Sequence, residues 1–448
     1  MKRILLLLAA LCALQAAASE PLPLPQTTDR NRSDRRSEFM SYTIRATAAA
    51  GDRETDWNYL PVEQFSQTAD STGIHYAFSF VPPEFWADRI ILLHTEGSRN
   101  SHTVTVNGTE IGSARDSGVP SEFEIQSCVR SDAPNRVVIT LPNDTDEPES
   151  ALADDRPALT GCFLYAQPRL RIRDYTIGTA LNEDGSGTLF AEVVVENASH
   201  SSESFSLCFD VFSPQGKVED FLSFPVSLDA GTCDTMHVEM PVYGAARNRW
   251  SAASPRLYSG NLFIRHGDRI LEYVPFRTGF GQTAFADGRI LRNGEPVQLR
   301  VARYDATTPD ALRADIRRFK KAGYDTLWPH RPQPYWFYDL CDALGMYVID
   351  QANIGTDYRT EDRRVGGTPS NDPAWLAEYM ARTQAMFYRS RNHVCIIARS
   401  LGEPSGNGYN FYKTYRWLRQ ADPDRPVIYA GAEGEWNSDL DLTPEIPD

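Results

Sequence analysis

One short stretch of the sequence combines residue types that could transfer a proton. Residues 396–408 read IIARSLGEPSGNG, in which an apolar run typical of a buried strand leads into a polar loop that carries Glu403. A carboxyl group at the end of a buried strand can act as a general acid or base. The next residue, Pro404, has no proton to give. Acid–base chemistry at this strand end therefore depends on Glu403.

The sequence offers no spacing typical of a bound metal. The eight histidines are scattered, and neither CxxC nor HExxH occurs. Glu433 and Glu435 lie in the segment GAEGEW, which is typical of a surface loop. We therefore expect no zinc site.

Composition and the N-terminal residues indicate an exported protein. The chain has 448 residues, 41% of them hydrophobic and 23% charged, as in ordinary multidomain globular proteins. Residues 1–18 combine a basic start, a short apolar run and a small-residue cleavage site, which predicts a signal peptide and a periplasmic or extracellular location. The formal net charge of −15 disfavours nucleic acid as a partner. No other stretch is apolar enough to be a transmembrane segment.

The elements that must position these residues fall into successive regions. Residues 19–37 mix proline with polar and basic residues and predict a flexible linker. Short alternating runs broken by turns predict one β-sandwich over 38–170 and a second, of immunoglobulin-like size, over 171–279. From 280 to 448 strands alternate with helices, as in parallel β/α units. The predicted strands are 297–303, 326–328, 346–350, 394–400 and 426–430, with a possible sixth at 440–442; the predicted helices are 309–322, 335–344, 373–390 and 409–420.

Several stretches follow one another in the order and spacing of a known family. They are NG at 107–108, DSGVPSEFEI at 116–125, WS at 250–251, PRLY at 255–258, LCD at 340–342, GMYVID at 345–350, ANI at 352–354, DPAWL at 372–376, RNH at 391–393 and SLG at 400–402. Together they resemble glycoside hydrolase family 2, of the bacterial β-galactosidase type. The resemblance implies a jelly-roll, galactose-binding-like sandwich, an immunoglobulin-like sandwich and a (β/α) TIM-type barrel. It also implies hydrolysis of O-glycosyl bonds in β-galactoside-like glycans.

The resemblance places an altered residue at the catalytic acid/base position. Retaining glycosidases need two carboxyl groups, one to protonate the leaving oxygen and one to attack the sugar. In the family the acid/base is the glutamate of an Asn-Glu pair ending barrel strand four, and the matching positions here are Glu403 and Pro404. Glu403 stands one residue early, so we expect it to point away from the site unless the strand end is bent, which makes it only a weak candidate. The family nucleophile comes from a later strand than the sequence contains, so no intact catalytic pair is predicted.

The family magnesium site is not expected here. Its matching positions are Gly355, Asp357 and Pro404, of which only one can offer a carboxylate oxygen. The resemblance therefore predicts no cofactor and no bound metal.

Four residues are candidates for contacting a sugar. By resemblance, His330 matches a strand-two histidine and Asp155 matches an aspartate sent from the first domain, although an ordinary loop histidine and a turn residue are the alternatives. Asn353 is a candidate that could instead orient its loop. Trp336 could stack on a sugar, but aromatic residues that open a barrel helix are more often core.

Three hypotheses for function remain open. The first is a secreted family member that is catalytically impaired or inactive, a pseudoenzyme. The second is a non-catalytic carbohydrate-binding protein, and the third is a truncated gene product without an independent role. Residues 280–448 allow only five or six of the eight strands of a closed barrel, so we expect an incomplete barrel with exposed edges through which the protein could oligomerise.

Overall fold

The computed structural model describes residues 29–55, 57–96, 101–115, 118–142 and 159–446. The predicted signal peptide, residues 1–18, lies outside this range. Within the described residues, every helix is too short or too polar to cross a membrane.

The first structural unit is a pair of antiparallel sheets that share one core. The sheets have the strand orders β1-β9-β4-β7 and β2-β3-β8-β5-β6. Strand β8 shows how the sequence forms this core. Val137, Ile139 and Leu141 are fully buried and alternate with more exposed residues, so one face of the strand packs inward. The unit contains helix α1 (Arg45–Ala50) and strands β1 (Tyr59–Pro61), β2 (Ser66–Asp70), β3 (Gly73–Phe80), β4 (Ile90–Glu96), β5 (His102–Val106), β6 (Thr109–Ala114), β7 (Ser121–Glu124), β8 (Asn135–Leu141) and β9 (Gly161–Gln167).

The second structural unit is also an antiparallel sandwich. Its sheets have the orders β10-β11-β14 and β13-β12-β15-β16. In β11, Leu189, Ala191, Val193 and Val195 are buried at every second position and face the core between the sheets. The strands are β10 (Leu170–Leu181), β11 (Gly187–Asn197), β12 (Glu203–Phe212), β13 (Val218–Leu228), β14 (Thr232–Val242), β15 (Tyr258–His266) and β16 (Arg269–Thr278).

A parallel β/α domain follows a short three-stranded sheet. The short sheet consists of β17 (Thr283–Ala286), β18 (Arg289–Arg292) and β19 (Glu295–Pro296). The five parallel strands then lie in chain order, and each is followed or preceded by a helix on the sheet surface. They are β20 (Val301–Arg303), β21 (Thr326–Trp328), β22 (Tyr347–Gln351), β23 (Ile396–Ser400) and β24 (Val427–Ile428), with helices α2 (Pro309–Lys321), α3 (Tyr335–Leu344), α4 (Leu376–Ser390) and α5 (Tyr409–Ala421).

Helix α2 illustrates how the sequence sets these elements. The Thr308 side chain accepts a hydrogen bond from the Ala311 amide at 3.1 Å and caps the N-terminus. Leu312, Ile316 and Phe319 lie on one face and are buried against the sheet.

The flexible-linker prediction was wrong for the part of 19–37 that the structure describes. Arg30 pairs with Ser113 and Arg32 pairs with Phe123 in short β-bridges to the first sandwich. Arg36 also forms two hydrogen bonds of 2.8 Å with the buried Glu122 carboxylate. Of the basic residues that suggested a solvated tether, Arg36 binds a buried acid, and the two bridges attach the backbone of this segment to the first sandwich.

The expected exposed edge at β20 is also partly covered. After β24 the chain crosses back, and Glu445 pairs in parallel with Ala302 of β20. The Arg303 and Glu445 amides donate to the carbonyls of Glu445 and Val301, both at 2.8 Å. Residues 440–442 form no strand, but Leu440 and Leu442 pack on the domain core.

Candidate functional site

Polar side chains converge where the parallel strands end. Arg303 is the last residue of β20, Gln351 is the last residue of β22, and His330 and Glu403 follow β21 and β23. The carboxyl ends of parallel strands meet at one edge of a sheet, and β/α barrels place their active sites there. We call this group of four side chains the carboxyl-edge cluster.

The Glu403 side chain lies in this cluster because the strand end is bent, which is the alternative to its pointing away. Gly402 adopts a φ of 144°, and the Glu403 amide then donates to the Ile354 carbonyl at 2.8 Å. This bend departs from strand geometry, so side chains no longer alternate. The carboxylate accepts a hydrogen bond from Gln351 Nε2 at 2.7 Å and forms an ion pair with Arg303.

The Gln351 amide holds the cluster together. Its oxygen accepts hydrogen bonds from Trp328 Nε1 at 2.7 Å and Ser400 Oγ at 3.0 Å. Its nitrogen donates to the His330 carbonyl and to Glu403, both at 2.7 Å. The amide therefore has partners on both sides, which fixes its orientation.

The Arg303 guanidinium sets the charge of the cluster. Burial lowers the pKa of Arg303 to about 10, with the nearby Asp305 charge opposing the effect, so the side chain remains a cation at neutral pH. This guanidinium is in direct contact with the Glu403 carboxylate.

His330 is held by a second carboxylate at the same edge. Its Nδ1 lies 2.7 Å from Asp305 Oδ2, and its backbone amide donates to Asp305 Oδ1 at 3.0 Å. Gln333 Nε2 also donates to Asp305 at 2.9 Å. His330 is about half exposed, and the bond through Nδ1 makes Nε2 the ring nitrogen available to a ligand.

The other sequence candidates are less well placed. Asn353 is buried, with its carbonyl accepting from Arg382 Nη1 at 2.6 Å and its side chain against Gly118 of the first sandwich. Trp336 is half-buried and packs on the domain core. Asp155 lies outside the described residues.

The positions that match the family magnesium site offer few ligands. Pro404 and Asp357 are exposed, and Gly355 has no side chain. Among the described residues, two sets of His, Asp and Glu are close enough to share an ion, and both lie away from the carboxyl edge. They are Glu38, His94 and Glu96, and Asp339, Asp342 and His393.

Sequence reasoning missed the roles of Arg303, Asp305 and Gln351. Arg303 and Asp305 occupy the segment RYDAT, at 303–307, at the end of the strand predicted over 297–303. That position at a strand end was the available signal. The role of Gln351 could not be found from position alone, because it depends on which strands lie beside β22.

Comparison with known proteins identifies the family. A model of "Glycosyl hydrolases family 2, TIM barrel domain" matches residues 303–444, and a model of "Glycosyl hydrolases family 2" matches residues 170–280. The chain belongs to glycosyl hydrolase family 2.

Individual relatives agree with this assignment. A β-galactosidase of Psychromonas ingrahamii is 28% identical over 386 residues, covering 82% of this chain and 36% of the relative. One of Priestia megaterium is 27% identical over 389 residues, covering 82% and 37%. The chain thus spans about a third of the length of these curated relatives.

Solved structures show the same fold. The crystal structure of a Bacteroides uniformis β-glucuronidase superimposes with a TM-score of 0.71 at 20% identity, covering 90% of this chain and 52% of that one. The β-sandwich domains followed by a TIM-barrel domain are therefore shared with the family.

Proposed function

We propose that this protein binds β-galactoside-like carbohydrate at the carboxyl-edge cluster and that its hydrolysis of O-glycosyl bonds is impaired or absent. The observation that carries the proposal is the Glu403 carboxylate, which is bound by Arg303 and Gln351 at the strand end where the family keeps its acid. The position that matches the acid itself is Pro404.

The chemistry of a retaining glycosidase explains why this arrangement disfavours hydrolysis. The leaving sugar oxygen needs a proton from a carboxylic acid, and the sugar carbon needs a second carboxylate about 5–5.5 Å from the first. Glu403 is paired with a guanidinium, and Asp305 is engaged by His330 and Gln333. Both carboxylates are therefore already held by hydrogen-bond donors, which leaves neither of them free to protonate a leaving oxygen.

The same groups remain suitable for binding. Glu403 and His330 keep partly exposed polar atoms, with side-chain exposures of 36% and 49%. Sugar hydroxyls both donate and accept hydrogen bonds, so a fixed carboxylate and an imidazole can bind them without moving. Fixed polar groups also reduce the ordering cost of binding.

Activity can be tested with a panel of chromogenic β-galactosides and β-glucuronides. We expect no turnover above the rate without protein for the wild type or for Glu403→Gln. Wild-type turnover that disappears in Glu403→Gln and persists in Glu433→Gln would refute the impairment. Glu433 is a suitable control because its side chain is 76% exposed.

Binding can be tested separately by titration calorimetry against galactosides. We expect measurable heat of binding with the wild type and with Glu433→Gln. In Glu403→Gln and His330→Gln we expect the affinity for the sugar to fall about tenfold or more, because each of these two variants loses a hydrogen bond to a charged or polar group. A flat trace with every sugar would contradict the binding proposal and favour a product without an independent role.

A further inference from the structure

A second polar cluster lies at the junction of the first sandwich and the parallel domain. His94 and Glu96 are two residues apart on β4 and therefore point to the same face of the strand. Glu38 reaches them from the packed N-terminal segment. One ligand atom of each residue lies within 4.8 Å of the others.

The His94 ring is fixed with one nitrogen directed at the two acids. The side chain is 95% buried, its Nδ1 lies 3.0 Å from Glu122 Oε1, and its ring stacks on Phe163 with 4.3 Å between centroids. Its Nε2 is buried and has no hydrogen-bond partner. The nearest acid oxygen, Glu96 Oε1, is 3.5 Å away, which is longer than a normal hydrogen bond.

This separation suits two ligands of one ion. Ligands bound at about 2.0–2.1 Å to a tetrahedral zinc ion are roughly 3.3 Å apart. Imidazole nitrogen and carboxylate oxygen are both ordinary zinc ligands. Two carboxylates also balance the charge of a divalent cation.

Two of the three ligands, His94 and Glu38, have partners that hold them in place. Glu122, behind His94, accepts hydrogen bonds from Arg36 and from the Tyr165 hydroxyl at 2.8 Å. Glu38 Oε2 accepts from Arg389 Nε of α4 at 2.8 Å, which leaves its other oxygen for an ion. Such outer contacts orient metal ligands and are a regular feature of metal sites.

We propose that Glu38, His94 and Glu96 bind a divalent transition-metal ion, with zinc the best match to the donor set. The ion would connect β4 to the N-terminal segment and, through Glu38 and Arg389, to α4. Glu38 and His94 also line a cavity of about 610 Å³ between the sandwiches and the parallel domain, which gives an ion a path and room for water ligands.

A proton is the competitor for this position. Burial by itself lowers the pKa of His94, but the bond to Glu122 and the nearby Glu96 carboxylate outweigh burial and raise the pKa to about 9. Without metal, the same atoms form an imidazolium ion pair. The experiment must therefore distinguish a bound cation from a bound proton.

The test uses the whole protein without an affinity tag, stripped with EDTA and then equilibrated with zinc. We expect one zinc per chain by elemental analysis, a melting temperature at least about 5 °C higher with zinc, and an affinity at least about 100-fold lower in His94→Gln and Glu96→Gln. Glu96 has a side-chain exposure of 39%, so its substitution is compatible with folding.

The matched control is His237→Gln, which removes an exposed histidine that lies 3.5 Å from Glu192 on the sandwich surface. This variant should bind zinc as the wild type does. If the wild type binds no more zinc than His94→Gln, the buried group is an imidazolium ion pair and the metal proposal is overturned.

Discussion

Asp339 and Asp342 lie on the same helix, α3, but their carboxyl groups have different surroundings. Asp342 accepts a hydrogen bond from the Cys395 amide at 2.7 Å and pairs with His393 Nδ1 at 2.7 Å. Burial raises the pKa of Asp339 from 3.8 to about 6, and the positive charge of His393 only partly opposes it. Ionising Asp339 therefore costs more free energy in the folded protein than in the unfolded chain.

This difference predicts a pH-dependent loss of stability. The folded protein holds the Asp339 proton more tightly than the unfolded chain, so the contribution of this group to stability falls as the pH rises from about 4 to about 6. We expect Asp339→Asn to raise the free energy of unfolding at pH 7.5 by about 1 kcal/mol and to flatten this part of the profile. Urea unfolding between pH 4.5 and 8 measures both effects.

The neighbouring variant Asp342→Asn is the control, because it loses charge-assisted bonds. It should destabilise the protein at pH 7.5. A profile of Asp339→Asn that parallels the wild type at all pH values would contradict the prediction.

Only part of the candidate site could be predicted at the level of residues. Glu403 and His330 were identified because each follows a strand in a stretch that resembles the family. The ion pair between Arg303 and Glu403 joins residues 100 positions apart. Such a contact depends on strand order and on the bend at Gly402, which composition and periodicity do not specify.

Among the elements, the loop after β23 depends on Gly402. A Cβ atom at this residue would lie 2.5 Å from the Ile354 carbonyl oxygen and 2.9 Å from Ile354 Cβ. The residue also has a φ of 144°, which side chains rarely adopt. The loop that carries Glu403 can therefore keep its path only with glycine at this position.

Gly402→Ala should consequently lower stability and displace Glu403. We expect a loss of about 2 kcal/mol or more in denaturant unfolding, with loss of any sugar binding seen for the wild type. Gly434→Ala is the control, because its φ of 85° is also positive but no atom lies within 4 Å of the added Cβ. A loss no larger than that of the control would show that the Ile354 contact is unimportant.

A buried arginine joins the elements around β23. Arg399 is fully buried and donates to Asp422 Oδ2 of the segment after α5 at 3.0 Å, to Asp350 Oδ2 of β22 at 3.2 Å and to Ser390 Oγ of α4 at 2.5 Å. Arg399→Met leaves Asp350 without its cation and removes one of the two arginines that pair with Asp422, so we expect a loss of about 3 kcal/mol or more in the free energy of unfolding. Urea unfolding measures this loss. The control is Arg317→Met at an exposed position, which should change the free energy of unfolding by less than about 0.5 kcal/mol. Equal losses in the two variants would contradict the prediction.

Element types were largely predictable, while element boundaries were less so. Helix α3 spans 335–344 as its sequence pattern predicted. The strand predicted at 297–303 is shorter, because the Val297 amide donates to the Ile290 carbonyl of β18 at 3.0 Å and only Val301–Arg303 joins the parallel sheet. One apolar run thus contributes to two sheets, and hydrophobicity alone does not show where the first sheet ends and the second begins.

At the scale of the whole molecule, Asn392 connects the parallel domain to the second sandwich. Its Oδ1 accepts from the Ile177 amide at 2.9 Å, and its Nδ2 donates to Ser37 Oγ at 2.9 Å and to the Tyr175 carbonyl at 3.1 Å. Arg391 beside it pairs with Asp174 at 2.5 Å. The sequence pattern separated the three regions but did not show these contacts, because each one joins residues more than 200 positions apart.

These contacts predict that the domains unfold together, and that Asn392→Ala weakens their coupling. The variant removes this partner from the Ile177 amide and the Tyr175 carbonyl, where the second sandwich meets the parallel domain. We expect the free energy of unfolding to fall by about 2–4 kcal/mol. Scanning calorimetry should show a lower or split transition, with earlier proteolytic cleavage between the second sandwich and the parallel domain. Asn182→Ala, which removes bonds within one exposed turn, should keep the wild-type transition. If Asn392→Ala also melts in one transition at the wild-type temperature, the coupling resides in the apolar contacts between the domains rather than in this side chain.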